Sequence, residues 1–138
     1  MKPPLVSAVL AEVQAKKTKK EKIEHLRYHR GNPVMKEFFK YVWDDSIRFL
    51  LPEGDPPYKP NKDLDESGLY QELRKMYLFI EGQTNPGLKP VRREVLFIQL
   101  LEGIHADEAK LLLSVKDKKM PYKSITKKLV EEALPGLL

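Results

Sequence analysis

The sequence predicts an all-α domain, folded as a compact bundle of about six or seven helices. Apolar residues recur at helical spacing along most of the chain, for example in residues 5–13 and 34–47. Helix-capping signals separate these segments. Apolar residues make up 41% of the 138 residues, which is sufficient for one hydrophobic core. We therefore expect residues 1–138 to form a single helical domain.

Capping residues predict where the second and third helices begin. The Thr18 hydroxyl is expected to accept the Glu21 amide in a capping box, with the Glu21 carboxylate reaching back. This second helix should end near Gly31. Asn32 and Pro33 then provide an N-cap and a first-turn proline for the third helix. Its apolar stripe is typical of a buried face and comprises Val34, Met35, Phe38, Phe39, Val42, Trp43 and Ile47.

A proline-rich loop interrupts the helical pattern after a short segment, residues 48–51, that is expected to be extended. Residues 51–60 contain four prolines and one glycine, which exclude a helix. We interpret residues 52–60 as a loop that packs back through Leu51 and Tyr58. A peptide ligand for an aromatic groove is the alternative interpretation.

Three further helices and a closing helix are expected after this loop. The fourth should cover about residues 67–80, and its apolar residues are Leu69, Leu73, Met76, Tyr77 and Ile80. The fifth should follow Pro90, with Val95, Leu96, Phe97, Leu100, Leu101 and Ile104 facing inward. His105 is expected to cap a sixth helix over about residues 107–115, and Ser124 to cap a last helix that runs through Leu134.

Charge is distributed unevenly along this basic chain, which has a net charge of +5 and an isoelectric point near 9.3. Residues 16–30 and residues 116–128 each carry a net charge of +5, whereas residues 53–72 carry −4. Two basic segments around an acidic middle favour an oriented encounter with a polyanion. The alternative is that these lysines simply keep helical surfaces hydrated.

Both basic segments lead into predicted helix N-termini, where lysines oppose the helix dipole and backbone amides point outward. A bound phosphate would relieve that unfavourable arrangement, so the pattern predicts contacts to a phosphate backbone. The predicted DNA-binding residues are Lys17, Lys19, Lys20, Lys22, Lys116, Lys118, Lys119, Lys123, Ser124, Lys127 and Lys128.

The sequence offers little for catalysis or metal binding. It has no cysteine and no glycine-rich phosphate loop. His25 and His29 are four residues apart and share a helix face, but they lack the His-Glu-x-x-His pattern and lie among lysines. We therefore expect no enzyme activity, no metal and no cofactor. No apolar run is long enough for a membrane anchor, and the absence of cysteine fits a cytoplasmic location.

Two parts of the chain resemble a known domain. Residues 18–26, followed by the aromatic helix from Phe38 to Phe49, resemble the start of the N-terminal DNA-binding domain of ATP-dependent DNA ligases, most closely the T-even phage type. Residues 111–115, the basic loop and residues 134–138 resemble its end. The whole chain is also similar to an uncharacterised protein family of T-even-type phages that infect marine cyanobacteria, in which the Leu-Pro-x-Gly-x-Pro-Pro-Tyr loop recurs.

The resemblance implies an all-helical domain that grips duplex DNA across the minor groove through its phosphates. Lys17, Lys19 and Lys20 in the first basic segment would then face the backbone. Lys118, Lys119, Lys123 and Ser124 would do so in the second. The ligase domain usually has a glycine in that second loop, which here contains Lys118, Lys119 and Pro121. The Lys-x-Asp-Gly motif of adenylation is absent, so ligase activity is not implied.

These observations predict a non-catalytic accessory of phage DNA metabolism that binds duplex DNA, intact or nicked, with little sequence preference, in the host cytoplasm. The alternative is a protein–protein adaptor that engages a host or phage enzyme. In that case the lysines would meet an acidic surface and the proline-rich loop would form a docking edge. A continuous basic surface joining the two segments favours DNA, and a flat apolar patch favours the adaptor.

Overall fold

Six α-helices and one 3-10 helix form the part of the chain that the computed structural model describes, residues 5–61 and 72–138. The α-helices are α1 (Val6–Ala15), α2 (Lys19–Tyr28), α3 (Pro33–Trp43), α4 (Pro90–Glu102), α5 (Ala106–Lys116) and α6 (Lys127–Ala133), and the 3-10 helix is Leu73–Phe79. The predicted all-α class is confirmed. Within the described ranges, no helix is long and apolar enough to cross a bilayer.

Local capping signals begin α2, α3 and α5 as expected. The Thr18 hydroxyl accepts the Glu21 N–H at 3.1 Å and donates to the Glu21 carboxylate at 3.0 Å. The Glu21 side chain therefore bends back towards Thr18 and accepts a hydrogen bond from its hydroxyl. Asn32 caps α3 by accepting two backbone N–H groups, and the His105 ring caps α5.

The start of α1 is capped by a distant residue because Leu5, its N-cap, has no side-chain acceptor. The Glu108 carboxylate of α5 accepts the Val6 N–H at 3.0 Å and the Ser7 N–H at 2.8 Å. Glu108 is only 1% exposed. Its negative charge thus lies at the positive end of the α1 dipole and satisfies two buried amides.

The prediction of an α-helix over residues 67–80 was wrong for its described part. Residues 72–80 contain a 3-10 helix, and residues 67–71 lie outside the described residues. Three residues per turn place Met76 and Phe79 one above the other, and both are buried. Tyr77 follows Met76 on a different side of this helix and is 48% exposed.

A single cluster of buried side chains joins the helices, and the apolar stripe of α3 lies in it as predicted. Trp43 and Ile47 are partly buried at its edge. The inner face of α4 contributes Phe97 and Leu100, but Val95 is 38% exposed, so its predicted inward position was wrong. The α4 helix therefore presents part of its apolar surface to solvent.

The proline-rich loop is attached to the helical body, as predicted. Leu51 and Tyr58 pack against the core cluster, the Lys59 N–H donates to the Glu102 carboxylate, and the Gly54 N–H donates to Asp117. The predicted extended segment before the loop is also confirmed, because Phe49 pairs with the residue after the 3-10 helix in an antiparallel β-bridge. These contacts fix the loop beside α4.

Candidate nucleic-acid interface

The two basic segments meet because α2 packs against α6. The Arg27 guanidinium donates to the carbonyl oxygens of Ala133 and Glu132, at 3.1 and 3.2 Å. These are carbonyls of the last turn of α6, where a cation is favourable. At the other end of α2, the Lys19 ammonium lies 2.9 Å from the Glu132 carboxylate. The segments that meet are separated by more than 100 residues in the sequence.

A shallow depression of about 280 Å³ lies where the N-terminal ends of α2 and α6 come together. It is lined by Lys19, Lys22, Ser124, Thr126, Lys128 and Leu129. Three of these side chains end in an ammonium group, and two carry a hydroxyl group. None of the described residues that line it is acidic. Ammonium and hydroxyl donors are the groups that phosphate oxygens accept from.

A second depression of about 560 Å³ adjoins the first through Lys19. Its lining includes Lys20 and Arg27, but also Glu24 and Glu132. Its charge is therefore largely balanced. We define the basic face as Lys19, Lys20, Lys22 and Lys128, the lysines that line the two depressions.

Other predicted contact residues lie in the same two segments and have exposed side chains. These are Lys17, Lys119, Lys123 and Lys127. Lys19 is paired with Glu132, whereas within residues 5–61 and 72–138 no ion pair involves the other lysines of the basic face or these four. Most of the lysines in the two segments therefore form no ion pair within the described ranges.

Lys116 does not belong to this interface. Its side chain is 2% exposed, and its ammonium donates to the Pro52 carbonyl at 2.9 Å and to the Asp117 carboxylate at 2.7 Å. These bonds attach the proline-rich loop to the end of α5. The prediction that Lys116 contacts DNA is corrected to a structural role, because a buried ammonium with these partners is not available to a phosphate.

Lys118 is likewise engaged within the protein. Its ammonium donates to the carbonyls of Tyr41, Asp44 and Ile47, the last two at 2.9 Å, and so satisfies carbonyls at the C-terminal end of α3. Burial lowers the pKa of Lys118, and the Asp44 and Asp45 carboxylates partly offset this. The prediction that Lys118 contacts DNA is therefore corrected, because its ammonium is already bound by three carbonyls. Its φ is positive, at 56°, a backbone conformation that glycine adopts most readily.

Ser124 lines the depression but does not cap α6. Thr126 is the N-cap, and its hydroxyl accepts the Leu129 N–H at 3.2 Å. The Ser124 N–H and hydroxyl both donate to the Gln14 side-chain oxygen of α1, at 3.2 and 3.1 Å. The predicted cap was wrong because this distant acceptor holds Ser124 outside the helix.

No sequence pattern indicated which residues hold α2 against α6 in this site. Arg27 and Glu132 were not among the predicted site residues, although they hold α2 and α6 together. Both sit on ordinary amphipathic helices, and only the packing of α2 on α6 brings them into contact. Tyr122 of the second basic segment packs against the core, and its hydroxyl donates to the Ser7 carbonyl at 3.3 Å.

Comparison with known proteins places the chain in a family. A family model described as a family of unknown function, DUF6433, matches residues 9–122, from α1 to the second basic loop. No curated protein and no solved structure matches the chain. Since the matched segment covers well over half of the sequence, the chain belongs to the DUF6433 family.

Proposed function

We propose that this protein binds the phosphate backbone of duplex DNA without catalysing a reaction on it. The basic face, Lys19, Lys20, Lys22 and Lys128, forms the centre of the contact. The exposed lysines at positions 17, 119, 123 and 127 add positive charge around it. Contacts to phosphate carry no sequence information, so the binding has little sequence preference. The resemblance to the DNA-binding domain of ATP-dependent DNA ligases supports duplex DNA as the polyanion.

The observation that carries this proposal is the convergence of two lysine-rich segments on one depression. Lys22 and Lys128 are on different helices, yet their side chains line the same surface with two hydroxyl groups. Like charges repel, so bringing them together has a cost unless an anion is bound there. The positive charge is thus concentrated where a phosphate group would find several donors at once.

The experiment is fluorescence anisotropy of labelled intact duplex, nicked duplex and single strand, each titrated with protein at several salt concentrations. We expect duplex binding that weakens steeply with salt, because each neutralised phosphate contributes about −0.9 to the slope of log K against log salt. Replacing Lys22 and Lys128 with alanine should weaken binding and reduce that slope by about 2.

The matched control is the double variant Lys36→Ala/Lys110→Ala. It removes the same net charge from α3 and α5, outside both depressions. The control should retain nearly the wild-type slope. Equal slopes for both double variants would contradict the basic face as the site, and no binding to any of the three nucleic acids at low salt would overturn the proposed function.

A second candidate function, a protein–protein adaptor, is favoured by an apolar groove of about 330 Å³ between the proline-rich loop and α4. Leu51, Pro52 and Pro56 line one side, and Val91 and Val95 line the other. Val91 is 72% exposed. An exposed valine beside a fixed proline-rich loop is a suitable contact for another protein.

Substitution separates the two candidates because the groove and the basic face share no lining residue. Val91→Asp should leave DNA affinity unchanged. If the adaptor function is correct, a protein that copurifies with the wild type from infected cells should be lost with Val91→Asp and retained with Lys22→Ala/Lys128→Ala. Retention of every copurifying protein by Val91→Asp would exclude the groove as the docking site.

A further inference from the structure

Three potential metal ligands meet at the opposite end of α2 from its capping box. Glu12 is on α1, His25 is on α2, and His29 is the C-cap residue of α2. One ligand atom from each side chain can be chosen so that all three lie within 4.8 Å of one another. The Glu12 carboxylate is 2.8 Å from the Nε2 atom of His25, and the two imidazole rings are 4.9 Å apart.

Helix geometry explains this cluster. Residues four apart project from the same side of a helix, which brings His25 and His29 together. Packing of α1 against α2 then adds Glu12, thirteen residues before His25. The sequence alone does not reveal the third ligand, because Glu12 forms no recognised metal-binding motif with the two histidines.

We propose that Glu12, His25 and His29 bind a first-row transition-metal ion, with Zn²⁺ as the physiological example. Two imidazoles and one carboxylate supply three of the four positions of a tetrahedral zinc site and leave the fourth to water. The site goes beyond DNA binding and does not depend on it, because its residues line neither depression of the basic face.

The spacing of the ligand atoms is close to what zinc requires. Bond lengths of about 2.0–2.1 Å at tetrahedral angles place ligand atoms about 3.3 Å apart. The contact between Glu12 and His25 is shorter than this, at 2.8 Å, and no separation between the three ligand atoms exceeds 4.8 Å. The Glu12 side chain is 60% exposed and His29 lies at the helix end, so small side-chain rotations suffice.

The local environment suits a cation better than the lysine-rich sequence indicates. Arg27 directs its guanidinium to the carbonyls of α6, and Arg30 donates to the Arg27 carbonyl. The Glu12 carboxylate provides the negative charge at the site.

A metal ion at this position would join α1 to α2. Because the three ligands come together only in the folded chain, the ion would bind the folded state and not the unfolded one. At an ion concentration about 100 times Kd, the ratio of unfolded to folded protein falls about a hundredfold. The thermal midpoint should rise accordingly.

The test is titration of chelator-treated, tag-free protein with ZnCl₂ by calorimetry, and with CoCl₂ by visible absorption, which reports a tetrahedral site. We expect one ion per chain and an increased thermal midpoint. Glu12→Gln and His29→Gln should each weaken binding about tenfold or more, since even residues that only orient metal ligands contribute about 10–100-fold.

His105→Asn is the matched control, because it removes the third histidine of the chain and keeps an acceptor that can cap α5. Its affinity should equal that of the wild type. Circular dichroism checks that each variant is folded, and Glu12→Gln changes only an exposed side chain. Undetectable zinc binding by the wild type, or Glu12→Gln and His29→Gln variants that bind as the wild type does, would overturn the proposal, whatever the DNA titrations give.

Discussion

Replacing Glu108 with alanine is expected to lower the free energy of unfolding by about 4 kcal/mol. The substitution leaves the Val6 and Ser7 amides buried without their acceptors, at about 1–3 kcal/mol each. It also removes a negative charge from the N-terminal end of α1 and creates a cavity in the core. Urea unfolding followed by circular dichroism measures this loss.

Two comparisons identify the cause of that effect. Glu108→Gln keeps the volume and one acceptor oxygen but not the charge, so its loss of stability should be intermediate. Glu131→Ala removes an exposed glutamate of α6 and should change stability by no more than about 0.5 kcal/mol. A Glu108→Ala variant as stable as Glu131→Ala would refute the capping role of Glu108.

Replacing Lys118 with methionine is expected to lower the free energy of unfolding by about 2–3 kcal/mol. The DNA affinity of the protein and its salt slope should stay unchanged. Methionine retains the length of the side chain but loses an ammonium that serves three carbonyls at the end of α3. Hydrogen bonds from a charged donor contribute about 1.5–3 kcal/mol each, and desolvation of the ammonium offsets part of this sum. Urea unfolding and the salt slope of DNA binding are measured on the same variant.

The neighbouring Lys119 provides the control, because its side chain is exposed. Lys119→Met should retain the wild-type stability within about 0.5 kcal/mol. Lys118→Gly should be less destabilised than Lys118→Met, since glycine adopts the positive φ at this position without strain. A Lys118→Met variant that is fully stable but binds DNA with a smaller salt slope would show that Lys118 contacts DNA.

Local interactions were predictable from the sequence. The caps provided by Thr18, Asn32 and His105 involve acceptors and amides within three residues of each other, so short patterns contain all the information. The apolar stripe of α3 was predictable for the same reason. Its period alone determines which face is buried.

The errors about Ser124, Lys116 and Lys118 arose where a distant partner decides the outcome. Ser124 and Thr126 are equally good caps by composition, and only Gln14, more than 100 residues earlier, distinguishes them. Lys116 and Lys118 resemble Lys119 in sequence, yet carbonyls more than 60 residues away remove them from the surface. The lysines that line the depression were predicted individually, but their convergence depends on the packing of α2 against α6.

The long separation between α2 and α6 affects the newly synthesised chain. The paired residues Lys19 and Glu132 are 113 positions apart, an interval that takes about 6–23 s at about 5–20 residues per second of translation. During that time α2, with Leu26 that is fully buried in the folded protein, is made, but α6, which packs against α2, is still incomplete. Apolar side chains of α2 in the nascent chain are therefore available for aggregation until α6 has been made. The basic face is assembled only when α6 docks on α2.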